Sequence, residues 1–165
     1  MNQKMDKLVE VAAQLEQAVD SAVERWRDLP EETLRFRPSA ESWSIKEIIG
    51  HLVDSASNNH QRFVRLQLQQ QLSFPDYSQD NIFWVSIQKY QERTWTQLLV
   101  LWRQFNYQLA HIMRSVDPAC LSHTWQVDSK TGFTLFDLMT DYQRHLEDHL
   151  IQIGDTLNAS KDAIK

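Results

Sequence analysis

The chain is predicted to be all-α, a four-helix bundle with long connections between its helices. Two observations carry that prediction. Only three glycines and four prolines occur in 165 residues, so hairpins and tight turns have little to work with while long helices run unobstructed. Apolar residues also recur at three- and four-residue steps through four long stretches, the period of a helix with one buried face. A hydrophobic content of 42% and a charged content of 24% suit a single domain over residues 1–165, long enough to bury a real core.

The first helix is expected from about Met5 to Asp28. Leu8, Val11, Ala12, Leu15, Ala18, Val19, Ala22, Val23 and Trp26 form its stripe, and Leu29-Pro30 ends it. Ser42 and Ser44 are both cap candidates for the next helix, and Ser44 with Glu47 makes a capping box in which each side chain satisfies a free backbone amide. The second helix should run from about Ile45 to Gln71, and the stretch 73–80 should be a loop. The third, from about Ile82 to Val116, is rich in aromatic residues, and Asp117-Pro118 stops it. Residues 119–132 read as irregular, with a short extended piece at 123–127. Thr134 and Asp137 open the last helix, which carries Leu135, Leu138, Met139, Tyr142, Leu146, His149, Leu150 and Ile153 to about Leu157. Connections of this length favour at least one crossover that leaves two helices parallel, and they favour a pocket where they cluster.

Net charge and cysteine content narrow the function classes. A net charge of −5 and a pI near 5.6 argue against a nucleic-acid partner, which calls for a basic stripe. No run approaches eighteen apolar residues, so no membrane partner is expected, and the N-terminus lacks an apolar secretory core. The single cysteine, Cys120, excludes an intrachain disulfide and fits a cytoplasmic location. It lies three residues before His123, but no elbow motif surrounds it that would make it a nucleophile.

Chemistry concentrates in the histidines. His145 and His149 are four residues apart and so stand on one helical face. On the helical wheel they lie roughly 80° and 40° from the apolar centre, pointing into the bundle or its rim. Buried imidazoles need partners for both ring nitrogens, and a divalent metal is an efficient one. His51 lies roughly 110° off the stripe of the second helix, on its flank. It sits two turns after that helix starts, while the pair sits two to three turns before the last helix ends. An antiparallel arrangement therefore brings all three rings to one level. Taken alone, the pair reads first as two core-edge histidines bonded to carbonyls or carboxylates, since i, i+4 histidines are not rare. His60 and His111 have no partner at ligand spacing. Asp141, one turn before His145, is placed to orient that ring, and Asp148 and Asp54 are further candidates. Asn59, Tyr77 and Asp80 are candidates for the pocket mouth.

The segment Trp43-Ser44-Ile45-Lys46-Glu47-Ile48-Ile49-Gly50-His51-Leu52-Val53-Asp54-Ser55, followed by Arg62-Phe63, and the closing pair His145 and His149 resemble the DinB-like (YfiT-like) family. The likeness extends from about Val9 to Leu157. It implies a four-helix bundle whose second and third helices run parallel through a crossover. It further implies a divalent metal, zinc or nickel, held by His51, His145 and His149. Members of that family include thiol S-transferases using low-molecular-weight thiols, a thiol-dependent isomerase and metal-dependent hydrolases, and dimers are frequent. The resemblance transfers no substrate or thiol site.

The sequence therefore points to a metal-dependent enzyme acting on a small molecule, of thiol S-transferase or hydrolase type. Three neutral imidazoles leave a bound ion its full charge and an open position, enough to lower the pKa of water or a thiol. The alternative is a non-catalytic helical binding protein whose metal site is structural or vestigial.

Overall fold

The computed structural model describes residues 3–127 and 132–163. Four long helices form the bundle: α1 (Gln3–Trp26), α3 (Ile45–Leu68), α5 (Trp95–Ser115) and α6 (Leu135–Ala163). Two short ones, α2 (Glu31–Arg35) and α4 (Asn81–Gln88), lie in the connections. Both α1 and α3 pack on α5 and on α6, so α1 and α3 occupy opposite corners. Leu8, Leu15, Ile48, Leu52, Phe63, Leu98, Trp102, Leu109, Met139, Leu146 and Ile153 are fully enclosed between them.

Local chemistry sets the helix starts as the sequence predicts. Ser44 Oγ accepts from the Glu47 amide at 3.3 Å, and a Glu47 carboxylate oxygen accepts from the Ser44 amide at 2.9 Å. Gln91 also donates to Ser44 Oγ at 2.7 Å, and Arg37 pairs with the Glu47 carboxylate. At the head of α6, Thr134 and Asp137 close the same reciprocal arrangement, the Asp137 amide donating to Thr134 Oγ1 at 3.1 Å. The helix continues to Ala163, beyond the expected Leu157, because Thr156 and Ser160 still face the bundle.

Three differences from the sequence expectation concern the connections. The expected single helix from Ile82 to Val116 is broken. It divides into α4, a 3-10 turn at Tyr90–Glu92 and α5. Lys89 takes the left-handed conformation, φ 50°, at the break. The cause is tertiary: Tyr90 turns inward to lie on Gly50 of α3, where an added Cβ would meet its ring at 2.1 Å. The Tyr90 hydroxyl reaches Asp54 at 2.6 Å. Second, α3 ends at Leu68, and Gln71–Ser73 form strand β1. That strand pairs in parallel with β2 (Thr124–Gln126), which pairs antiparallel with β3 (Phe133–Thr134). The extended piece expected at 123–127 is thus the centre of a small sheet at the end of α3. Third, α2 brings Glu31 to the buried Lys46, with Nζ 2.8 Å from the carboxylate.

Every residue of α3 from Ile45 to Ala56 is buried. His51, Ser55, Asn58, Asn59 and Arg62 form a buried polar stripe beyond the apolar one. Helix α6, the small sheet and the connection at 73–80 enclose that side, so the flank on which the wheel placed His51 lies inside the protein. His51 is only 3% exposed.

Candidate metal centre

Two helices supply the site. His51 comes from the second turn of α3, and His145 and His149 come from one face of α6. The ring of His51 lies 5.5 Å from that of His145 and 4.7 Å from that of His149, centroid to centroid. The donor nitrogens of all three fall within 4.8 Å of one another. His145 Nε2 and His149 Nε2 are 3.2 Å apart. Two nitrogens bound at about 2.0–2.1 Å to one tetrahedral ion stand about 3.3 Å apart, so the pair is already at the spacing a shared cation requires.

The donor chemistry fits as well. His149 Nδ1 lies 2.7 Å from Gln152 Oε1. An N–H there donates to the amide oxygen and leaves the Nε2 lone pair facing the cluster. Burial, with the neighbouring histidines as the next cause, pushes the pKa of His51 down to about 3. Burial followed by His149 pushes His145 down to about 4. Both rings are therefore neutral at physiological pH, the form that ligates. His51 Nδ1 is buried with no hydrogen-bond partner among the described residues. Neutral rings crowded lone pair to lone pair are unfavourable, and a cation between them resolves the conflict. A divalent ion held by three neutral imidazoles fits this donor set.

A cavity of about 320 Å³ opens from the cluster. It runs as a trough between α3 and α6, with Ser55, Asn59 and Arg62 on one wall and Leu138, Tyr142 and Asp141 on the other. Asp76, Tyr77, Asn81, Trp125 and Phe133 complete it from the connections. Burial raises the Tyr77 phenol well above its ordinary range, so it stays protonated and can only donate or accept neutral hydrogen bonds. Tyr142 is pinned from behind, its hydroxyl donating to Asn106 at 2.7 Å.

The remaining expected residues divide. Asn59, Tyr77 and Asp141 line the trough, but the Asp141 carboxylate accepts from Arg144 at 2.6 and 2.9 Å rather than from His145. Asp54 lies outside the lining: its Oδ1 accepts from Tyr90 and, at 2.5 Å, from Gln88. Asp80 is exposed, and its neighbour Asn81 lines the cavity instead. His123 bonds the Leu66 carbonyl at 2.5 Å, and Cys120 Sγ lies 3.7 Å from the Gln67 carbonyl; both hold the end of α3. Gln152, Tyr90, Asp76 and Trp125 were not among the expected site residues. Gln152 alone had a local signal, one turn after His149.

The sequence profile of the DinB superfamily matches residues 14–153. The chain belongs to the DinB superfamily. No curated protein matches it. Among solved structures it is similar to YfiT from Bacillus subtilis, with a TM-score of 0.78 at 18% identity, covering 94% of this chain and 87% of that one. YfiT is described as "a probable metal-dependent hydrolase with an unusual four-helix bundle topology". At that identity the likeness speaks for the fold. The superfamily and its bundle therefore agree with the resemblance read in the Trp43–Ser55 segment and the closing histidine pair.

Proposed function

We propose that this protein is a metal-dependent enzyme acting on a small molecule, a hydrolase or a thiol S-transferase. The observation that carries the reading is the convergence of His51, His145 and His149 on one point at the end of an open trough. A divalent ion, zinc or nickel, is held by those three rings, with Gln152 fixing the tautomer of His149. When bound, such an ion supplies Lewis acidity that brings the pKa of water or a thiol toward neutrality. The chain's own residues do the rest. Trp43 packs over His51 at 5.0 Å between ring centroids and Tyr77 at 6.1 Å, keeping that ring dry and fixed. Asn59, Tyr77 and Asp141 offer hydrogen bonds along the trough to a reactant.

The same proposal includes a low-molecular-weight thiol as co-reactant in the transferase case, a cytoplasmic location, no nucleic-acid partner and a homodimer. The exposed Ile82, Phe83 and Ile87 of α4 support the dimer, since such a patch invites a second copy. We also read residues 1–165 as one domain, in keeping with the single core that all four long helices share. A parallel course of α3 and α5 joined by a crossover finds support in two contacts. Gln91 meets the head of α3, and Phe63 and Asn106 both meet Tyr142.

The test is turnover by purified protein loaded with zinc or nickel, offered activated esters alone and electrophiles with several biological thiols. Hydrolysis or thiol addition that stops on chelation and returns with metal is expected. A loaded protein that turns over neither class, and whose melting temperature no thiol or ester shifts, is a scaffold and contradicts the reading.

A further inference from the structure

Arg62 stands eleven residues after His51 on α3, which is about 16 Å of helix rise and only roughly 20° of rotation. The two side chains therefore mark opposite ends of one buried polar stripe, and both line the trough. Arg62 is 5% exposed. Its guanidinium stacks on Trp125, 3.9 Å from the ring centroid, and Trp125 is fixed in turn by donating to the Phe74 carbonyl at 2.7 Å. One guanidinium nitrogen, Nη2, donates to Asp76 at 3.1 Å, and Nη1 lies 3.5 Å from Asn59 Oδ1, a long and weak contact. The third guanidinium nitrogen, Nε, is buried with no partner among the described residues.

A buried guanidinium is stable when its donors are all satisfied, and an orphaned one leaves a desolvation cost standing. A fixed, stacked guanidinium with an unused N–H is also the arrangement that recognises planar oxyanions. Among the described residues Arg62 pairs with Asp76, while Asp141, the other acid lining the trough, pairs with Arg144. With a divalent ion held by three neutral imidazoles at the far end, the trough carries net positive charge. Asp76 offsets part of the guanidinium charge, which suits a singly charged carboxylate better than a dianionic phosphate. Between the ends, Leu138 and the Tyr142 ring offer apolar wall.

We infer that the substrate is an elongated organic carboxylate. Its anionic end pairs with Arg62 beside Trp125 while its reacting end lies at the three histidines. The inference rests on the proposed metal-dependent reaction and names the class of molecule it acts on. Arg62 is then a binding and orienting residue that sets specificity for the end of the molecule away from the chemistry.

The test is calorimetric titration of the full chain, metal-stripped and zinc-loaded, with 4-phenylbutyrate and its neutral counterpart 4-phenylbutan-1-ol. In the metal-stripped protein the acid should bind about tenfold or more tightly than the alcohol, the margin expected of a charge-assisted pair. Arg62→Gln should erase that preference, and Arg62→Lys should restore only part of it. Asp76→Asn should tighten the acid by about threefold or more by removing a competing charge, and this variant keeps the test decisive if Arg62→Gln does not fold. Equal binding of acid and alcohol, or an Asp76→Asn variant that binds the acid no better, overturns the inference. Zinc bound without acid preference removes the carboxylate assignment alone. Acid preference that depends on Arg62 in a chain that binds no zinc removes the metal-dependent reading alone.

Discussion

Tyr90 lies flat against Gly50, so close that the smallest side chain on that glycine would sit 2.1 Å from its ring. This contact joins the break between α4 and α5 to the turn of α3 that carries His51. From there the phenol hydroxyl runs one turn along α3 to Asp54. Desolvation raises the pKa of that buried carboxyl, against which the Tyr90 and Gln88 hydrogen bonds act as the counterweight.

A methyl group at position 50 must therefore push Tyr90 away. Gly50→Ala should destabilise the fold by about 1–3 kcal/mol, the usual range for overpacking, and weaken metal binding by shifting His51. Tyr90→Phe should cost about 1–3 kcal/mol by leaving Asp54 underbonded while sparing the ring contact. Urea denaturation of both variants tests this; a Gly50→Ala protein as stable as the parent would mean that the Tyr90 contact does not constrain α3.

The amide oxygen of the Gln152 side chain meets the outer nitrogen of His149. Gln152→Leu should leave the melting temperature of the metal-free protein nearly unchanged. It should also weaken metal affinity by about 10–100-fold, as the loss of an orienting acceptor commonly does. Chelator competition measures the affinity, and an unaltered value would show that the hydrogen bond at 2.7 Å plays no part in holding the ring.

Acid should unfold the metal-free protein through its histidines. His51 and His145 have folded pKa values of about 3 and about 4, below the ordinary 6.5. Above pH 6.5 both are neutral folded or unfolded, and stability does not depend on them. As pH falls below 6.5 the unfolded chain takes up protons that the folded chain refuses. Stability then drops by up to about 1.4 kcal/mol per pH unit for each proton, until the folded pKa values are reached. Melting temperatures between pH 8 and 4 should show this decline, and a His51→Asn, His145→Asn double variant should flatten it. An identical decline in the double variant would place the acid sensitivity elsewhere.

Much of the site was legible because its signals are local. The i, i+4 spacing of His145 and His149 and the Ser44–Glu47 cap are short-range patterns, and they survive folding unchanged. The level of His51 followed from counting turns. Its burial did not, because a helical wheel sees only one partner face, whereas α3 is covered on two. The break at Lys89 was invisible for the same reason: no glycine or proline stands between Ile82 and Trp95, and a contact with Gly50, forty residues away in sequence, bends the chain. Asp54 was expected to serve the histidines but is bonded to Tyr90 and Gln88 instead, and Asp80 is exposed, where the turn before α4 leaves it. Arg62 was legible as a residue of the Arg62-Phe63 step, yet its partners Asp76 and Trp125 come from distant connections that only the small sheet brings together.

Metal content decides the central claim most directly. Protein purified without chelator or affinity tag, or reconstituted with zinc or nickel, should hold one ion per chain by plasma mass spectrometry. His51→Ala and His145→Ala should each lose it while circular dichroism reports an intact helical fold. A parent chain that takes up no metal, or a His51→Ala chain that keeps its full complement, would contradict a cation shared between α3 and α6.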